Sequence, residues 1–170
     1  EDGKENVLCG INFTIEPGQT VALVGPTGAG KTSIINLLMR FYDPQEGRVL
    51  VDGHDLRSVS LASLRRQVAL VLQDSFLFSG SIADNIRYGK LDATMEDVER
   101  VAQAVQVDHF VQNFPDKYDH QVNERGTRLS VGQWQLISFA RALLADPKIL
   151  ILDEATSSVD TQTESMIQAA

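Results

Sequence analysis

Gly25, Pro26, Thr27, Gly28, Ala29, Gly30, Lys31, Thr32 and Ser33 stand in a row directly after the apolar run Val21, Ala22, Leu23 and Val24 and directly before a helix-like segment. The spacing is G-x-x-x-x-G-K-T, and its chemistry is the cradling of a phosphate chain. Such a loop must turn its backbone N–H groups inward, and glycines at 25, 28 and 30 permit the φ values and the close approach that a Cβ would block. A helix opening near Lys31 aims its positive dipole end at the anion. Lys31 reaches terminal phosphates as a point charge, and the Thr32 hydroxyl is placed to coordinate Mg²⁺.

A phosphate-hydrolysing site also needs carboxylates, and the second half of the chain supplies them. Lys148, Ile149, Leu150, Ile151 and Leu152 run into Asp153 and Glu154. The apolar run reads as a strand buried on both faces, with both acids at its C-terminal edge, where open α/β sheets place their ligands. Asp153 is a hard oxygen ligand for Mg²⁺, and Glu154, one residue on, orients or deprotonates a water. An Asp-Glu pair after a strand is alone a weak signal; beside the phosphate loop it completes a set.

Between these stations lies Leu129, Ser130, Val131, Gly132 and Gln133. Here the chain resembles the ATP-binding-cassette family, whose signature loop is usually Leu-Ser-Gly-Gly-Gln. Gln73, after Val71 and Leu72, matches the family's Q-loop glutamine, and Ser157, Ser158, Val159 and Asp160 resemble its D-loop. Leu77, Phe78, Ser79, Gly80, Ser81 and Ile82 with Asn85 and Ile86, and the run Asn123, Glu124, Arg125 and Gly126, resemble segments of exporter-type members. Val131 departs from the usual glycine, and Trp134 stands where a charged or amide residue often follows.

The resemblance implies an ATP hydrolase with ATP and Mg²⁺ as cofactors. Thr32, Gln73 and Asp153 would hold the metal, and Glu154 with Gln73 would serve the attacking water. It implies that Ser130, Gly132, Gln133 and Asp160 act in trans on nucleotide bound to a second nucleotide-binding domain, identical or not. It also implies transmembrane domains outside this chain, docking near Gln73, and a place on the cytoplasmic face of the cell membrane. The family's adenine-stacking aromatic would precede Val7 and its switch histidine would follow Ala170. A domain trimmed at both ends is therefore expected, with an incomplete sheet and weak turnover.

Two other readings stand beside this one. A nucleotide-binding module without turnover is favoured by the missing histidine and opposed by Glu154. A DNA-repair or chromosome-maintenance ATPase head shares the loop, signature and Asp-Glu pair, but there a long coiled coil separates the halves, and no heptads lie between Gln73 and Ser130. Net charge of −8 also argues against a nucleic-acid partner. A single cysteine, Cys9, leaves no internal disulfide partner and reads as a small core hydrophobe in a soluble piece of a reducing compartment. No apolar run approaches the ~20 residues of a membrane span.

The elements that must position these residues divide the chain in three. The expected fold is α/β, a P-loop NTPase core with a mainly parallel sheet plus a helical signature subdomain, incomplete at its N- and C-terminal edges. Core parts span 1–77 and 144–170, the helical part 78–143. Strand-like runs fall at 12–15, 20–24, 48–51, 68–72 and 148–152. In the helical part Thr94 and Asp97 have capping-box spacing, and Val98, Val101, Ala102 and Val105 repeat at i, i+3, i+4, i+7. Ser130 is the expected N-cap of a helix over 131–145, which Asp146 and Pro147 stop. Trp134 is expected to pack on that helix rather than stack on nucleotide. His54, on an expected turn, and His109 and His120 show no metal-like spacing and read as ordinary solvated or satisfied side chains.

Overall fold

The computed structural model describes residues 7–72, 76–122 and 129–153. In chain order its elements are helix α1 (Lys31–Leu38), strands β1 (Leu50–Val51) and β2 (His54–Asp55), helix α2 (Leu61–Gln67), strands β3 (Val68–Val71) and β4 (Gly80–Ser81), helices α3 (Ile82–Arg87), α4 (Met95–Ala104) and α5 (Val107–Val111), strand β5 (Gln121–Val122), helix α6 (Val131–Leu144) and strand β6 (Ile149–Leu152). The chain divides into two compact units, Glu1–Leu64 and Arg65–Ala170.

In the first unit α1 buries Ile35, and Met39 just beyond its end is buried too. Arg40, at φ 51°, follows and donates from Nη1 to the carbonyls of Leu56 at 2.7 Å and Val59 at 3.1 Å. Strands β1 and β2 form an antiparallel hairpin, Leu50 opposite Asp55 and Val51 opposite His54. Asp52 and Gly53 turn it with φ of 49° and 76°, the double positive φ that a tight two-residue hairpin requires. His54 thus lies on β2, one residue past the turn.

Four sequence expectations for this unit are corrected. Residues 12–15 and 20–24 form no strand, and 48–51 yields only the two residues of β1. β-branched composition favours a pleated surface but supplies no hydrogen-bond partner, and among the described residues no ladder reaches 12–15 or 20–24. Val21 and Val24 are accordingly 47% and 93% exposed. Cys9, read as a core residue, is exposed, because the extended segment around it is not covered.

The second unit builds its core from helices. Val68, Ala69, Leu70 and Val71 of β3 pair in parallel with Ile149, Leu150, Ile151 and Leu152 of β6, each with its counterpart in that order. Helix α6 packs on β3 and on α3, α4 and α5. Its Ile137, Phe139 and Ala140 are at most 1% exposed. The periodic residues of α4 behave as the spacing predicts: Val98, Val101 and Ala102, with Val105 at its C-cap, are all buried. β6 is a correction of another kind. It alternates half-buried and exposed residues, with Leu150 and Leu152 each 42% exposed, rather than being buried on both faces. Among the described residues its only ladder partner is β3, and the face that carries Leu150 and Leu152 meets solvent.

Side chains set the helix starts. Ser81 and Asp84 form a capping box at α3, Thr94 and Asp97 at α4, and Ser130 and Gln133 at α6. Helix α6 ends at Leu144 with Ala145 as C-cap, and Asp146 at φ 47° followed by Pro147 closes it. The helix expected from the sequence over 131–145 is therefore present, with its last residue as the cap.

Candidate functional site

The glycine-rich loop owes its shape to its glycines. Gly28 and Gly30 take φ of 84° and 90°, a region that side chains disfavour. The Ala29 N–H donates to the Pro26 carbonyl at 3.2 Å, closing a turn inside the loop. Gly30 is buried, and a Cβ there would lie 2.7 Å from Leu8 Cδ2, so Leu8 packs directly on the last glycine. Lys31 Nζ donates to the carbonyls of Gly25 at 2.7 Å and Pro26 at 3.1 Å, lying back along the loop.

Helix α1 begins with Gly30 as N-cap. No side chain caps its first N–H groups and no acidic residue stands in its first turn. Those donors and the positive dipole end are left to an anion. Thr32 is exposed on the first turn, and Ser33 is half-buried beside it.

In the second unit Asp153 follows β6 directly. Its N–H donates to the Val71 carbonyl at 3.0 Å, extending the parallel ladder by one bond. The carboxylate thus stands at the C-terminal edge of the β3–β6 pair, the edge that Leu72 continues toward Gln73. Gln73, Glu154, the run 157–160 with Asp160, and the run 123–126 lie outside the described residues.

Ser130 and Gln133 are tied to each other. Ser130 Oγ accepts from the Gln133 N–H at 3.2 Å, and Gln133 Oε1 accepts from the Ser130 N–H at 2.9 Å. The N-cap was expected; the reciprocal bond was missed, although S-x-x-Q at an N-terminus carries the signal. Val131, the departure from the glycine pattern, is 63% exposed. Gly132 follows it, half-buried. Trp134 packs against the helical core as expected, with its indole Nε1 buried.

The loop with Lys31, Thr32 and Ser33 belongs to the first unit, and Asp153 and Ser130 belong to the second. Thr32 and Asp153 are hard oxygen donors of the kind Mg²⁺ takes. Among the described residues no three His, Cys, Asp or Glu side chains gather to hold a metal. None of the described helices is long and apolar enough to cross a membrane. His54 is exposed, and His120 stacks on Phe114 with centroids 4.0 Å apart.

Comparison with known proteins bears on the same residues. A family model described as ABC transporter matches residues 8–157. An ABC transporter ATP-binding protein of Bacillus subtilis is 52% identical over 169 residues, 99% of this chain and 28% of its own length. The fatty acid ABC transporter ATP-binding/permease protein of Mycobacterium tuberculosis is 54% identical over 164 residues, 96% of this chain and 26% of its own. The chain thus spans between a quarter and three-tenths of the length of the curated relatives it matches. A solved structure of a bacterial Atm1-family ABC exporter with ATP bound superposes with a TM-score of 0.81 at 45% identity, covering 85% of this chain and 25% of that one.

Proposed function

The chain belongs to the ABC transporter family, and from that premise we propose that it binds ATP with Mg²⁺ and hydrolyses it to drive export across a membrane. The observation that carries this reading is the uncapped, glycine-opened N-terminus of α1, with Lys31 lying along the loop. The likeness to an exporter with ATP bound supports it.

In this reading Gly25, Pro26, Thr27, Gly28, Ala29, Gly30, Lys31, Thr32 and Ser33 hold the phosphates. Backbone N–H groups of the loop and of α1 donate to phosphate oxygens, and Lys31 exchanges its two carbonyl partners for the terminal phosphates. Thr32, Asp153 and Gln73 would hold Mg²⁺, which when bound neutralises charge on the phosphates. Glu154 takes the proton of the attacking water, which Gln73 helps to orient. Because Ser130 and Gln133 already satisfy each other, the remaining N-terminal donors of α6, Gly132 among them, are left for a γ-phosphate on a second copy or a related domain, and Asp160 would act in trans with them. Nucleotide then closes two such domains on each other, and its hydrolysis releases them.

The working unit is accordingly a dimer of nucleotide-binding domains joined to transmembrane domains, at the cytoplasmic face of the membrane. Residues 1–77 and 144–170 form the nucleotide core and 78–143 the helical part. Replacing Glu154 with Gln in the full-length protein tests the assignment. Phosphate release is expected to stop while Mg-ATP is retained and a nucleotide-dependent dimer accumulates in light scattering. Undiminished phosphate release, or only monomer at saturating ATP, rejects it.

A further inference from the structure

Arg141 lies near the end of α6 and makes no ion pair with any described carboxylate. Its guanidinium is instead spread over three acceptors. Nε donates to the Asn85 carbonyl at 2.9 Å, Nη2 to Asn85 Oδ1 at 3.1 Å and Nη1 to the Phe76 carbonyl at 3.0 Å. The same group lies 5.3 Å from the centroid of Phe78 and 5.8 Å from that of Tyr88. Asn85, 1% exposed, spends its remaining capacity on the same segment. Its Oδ1 accepts from the Phe78 N–H at 2.8 Å, and its Nδ2 donates to the carbonyls of Phe78 at 2.9 Å and Ser81 at 3.0 Å.

These two side chains answer backbone groups of Phe76, Phe78 and Ser81, the last of them within the short strand β4. Close packing fixes the same joint from behind, because a Cβ on Gly89 would collide with the Arg141 carbonyl. The backbones just past α3 and along α6 therefore touch at the residue that carries the guanidinium.

We infer that Arg141, acting with Asn85, is a positioning residue that ties the segment following Gln73 to the helix capped by Ser130, so that the two move as one piece. This rests on the reading of Gln73 and Ser130 given under Proposed function. The connection is short at both ends. Phe76 stands three residues after Gln73, no more than about 11 Å of chain. Arg141 stands three turns along a single helix from Ser130, about 16 Å of rigid rod. A planar fork is the group suited to this task, since a lysine ammonium donates from one point and cannot bridge acceptors on two segments in the same way.

The test uses the full-length protein with Arg141→Lys, and Arg141→Met as the stronger variant, normalised to bound nucleotide so that misfolded protein does not count. Arg141→Lys is expected to keep the Kd for Mg-ATP within about twofold while kcat falls about tenfold, as displacement of catalytic groups by a fraction of an ångström costs turnover rather than binding. Hydrogen exchange at the Phe78 amide should accelerate in the same variant, with the amides of α4 unchanged. Wild-type kcat in Arg141→Lys, equal losses in affinity and kcat, or unchanged exchange at Phe78 overturns the inference. A wild-type protein that releases no phosphate overturns the parent reading instead, and the two failures are thus distinguishable.

Discussion

The extended segments of the first unit and the helices of the second treat their apolar residues in opposite ways. In the first, Ile11, Phe13, Val21 and Val24 are 52%, 55%, 47% and 93% exposed, whereas in the second Ile82, Ile86, Val98 and Ile137 are wholly buried. A helix satisfies its own backbone and needs only one face covered, so the second unit closes on itself through α3, α4, α5 and α6. A strand acquires its hydrogen bonds only from a neighbour, so apolar composition at 20–24 does not make one. The phosphate loop is well formed all the same. Its shape comes from glycines and a helix start, both local, and does not wait for a sheet.

The largest effect that sharpens this contrast is in the core. Phe139→Ala removes a side chain 1% exposed and is expected to cost about 3–5 kcal/mol, whereas Phe13→Ala, at 55% exposure, stays within about 0.5 kcal/mol. Urea unfolding followed by the fluorescence of Trp134, the only tryptophan, measures the first, and hydrogen exchange at amides of the first unit measures the second. Equal costs would break the comparison. Next in size is Lys31→Ala, expected to weaken Mg-ATP binding between tenfold and a hundredfold by removing a charge-assisted contact of about 1.5–3 kcal/mol. Calorimetry reads the affinity, and the Trp134 unfolding midpoint should stay in place, since the loop belongs to the other unit.

The smallest effects concern the caps. Thr94→Ala is expected to cost about 1 kcal/mol, as loss of an N-cap does. Hydrogen bonds from Ser81 and Thr94 hold Asp84 and Asp97 below the ordinary carboxylate pKa, with Arg87 and Arg100 adding to the effect. Their folded pKa is depressed, so the stability they contribute is present above the unfolded value of about 3.9 and is lost as pH falls below it. The urea midpoint should therefore drop as pH falls below about 4, by less in Asp97→Asn. A variant with the full wild-type drop would remove Asp97 from this account.

What was legible in the sequence follows the same division. Thr94 with Asp97, the repeat Val98, Val101, Ala102 and Val105, and the span from Ser130 to its stop at Asp146 and Pro147 were all readable, because each signal sits within one helix. Gly28 and Gly30 were readable because positive φ is a property of single residues. Residues 12–15 and 20–24, the exposure of Cys9 and the half-open face of β6 were not, since each depends on what another part of the chain places alongside. Arg141 gave no signal at all. Its acceptors, Phe76 and Asn85, lie far off in sequence, and no spacing rule reaches that distance.

The parallel pairing of β3 with β6 carries a consequence for how the chain is made. Parallel neighbours cannot be joined by a tight turn, and here everything from β4 to the end of α6 lies between them. At roughly 5–20 residues per second of synthesis, β3 leaves the ribosome several seconds before its partner exists. For that interval Val68, Ala69, Leu70 and Val71 present an unpaired apolar edge, the kind that recruits other chains. The helices emerging meanwhile form quickly from local contacts, but α6, the helix that packs on β3, is completed only just ahead of β6. The stretch of synthesis between β3 and the residues that lead into Asp153 is therefore the one in which this edge is open to the wrong partner.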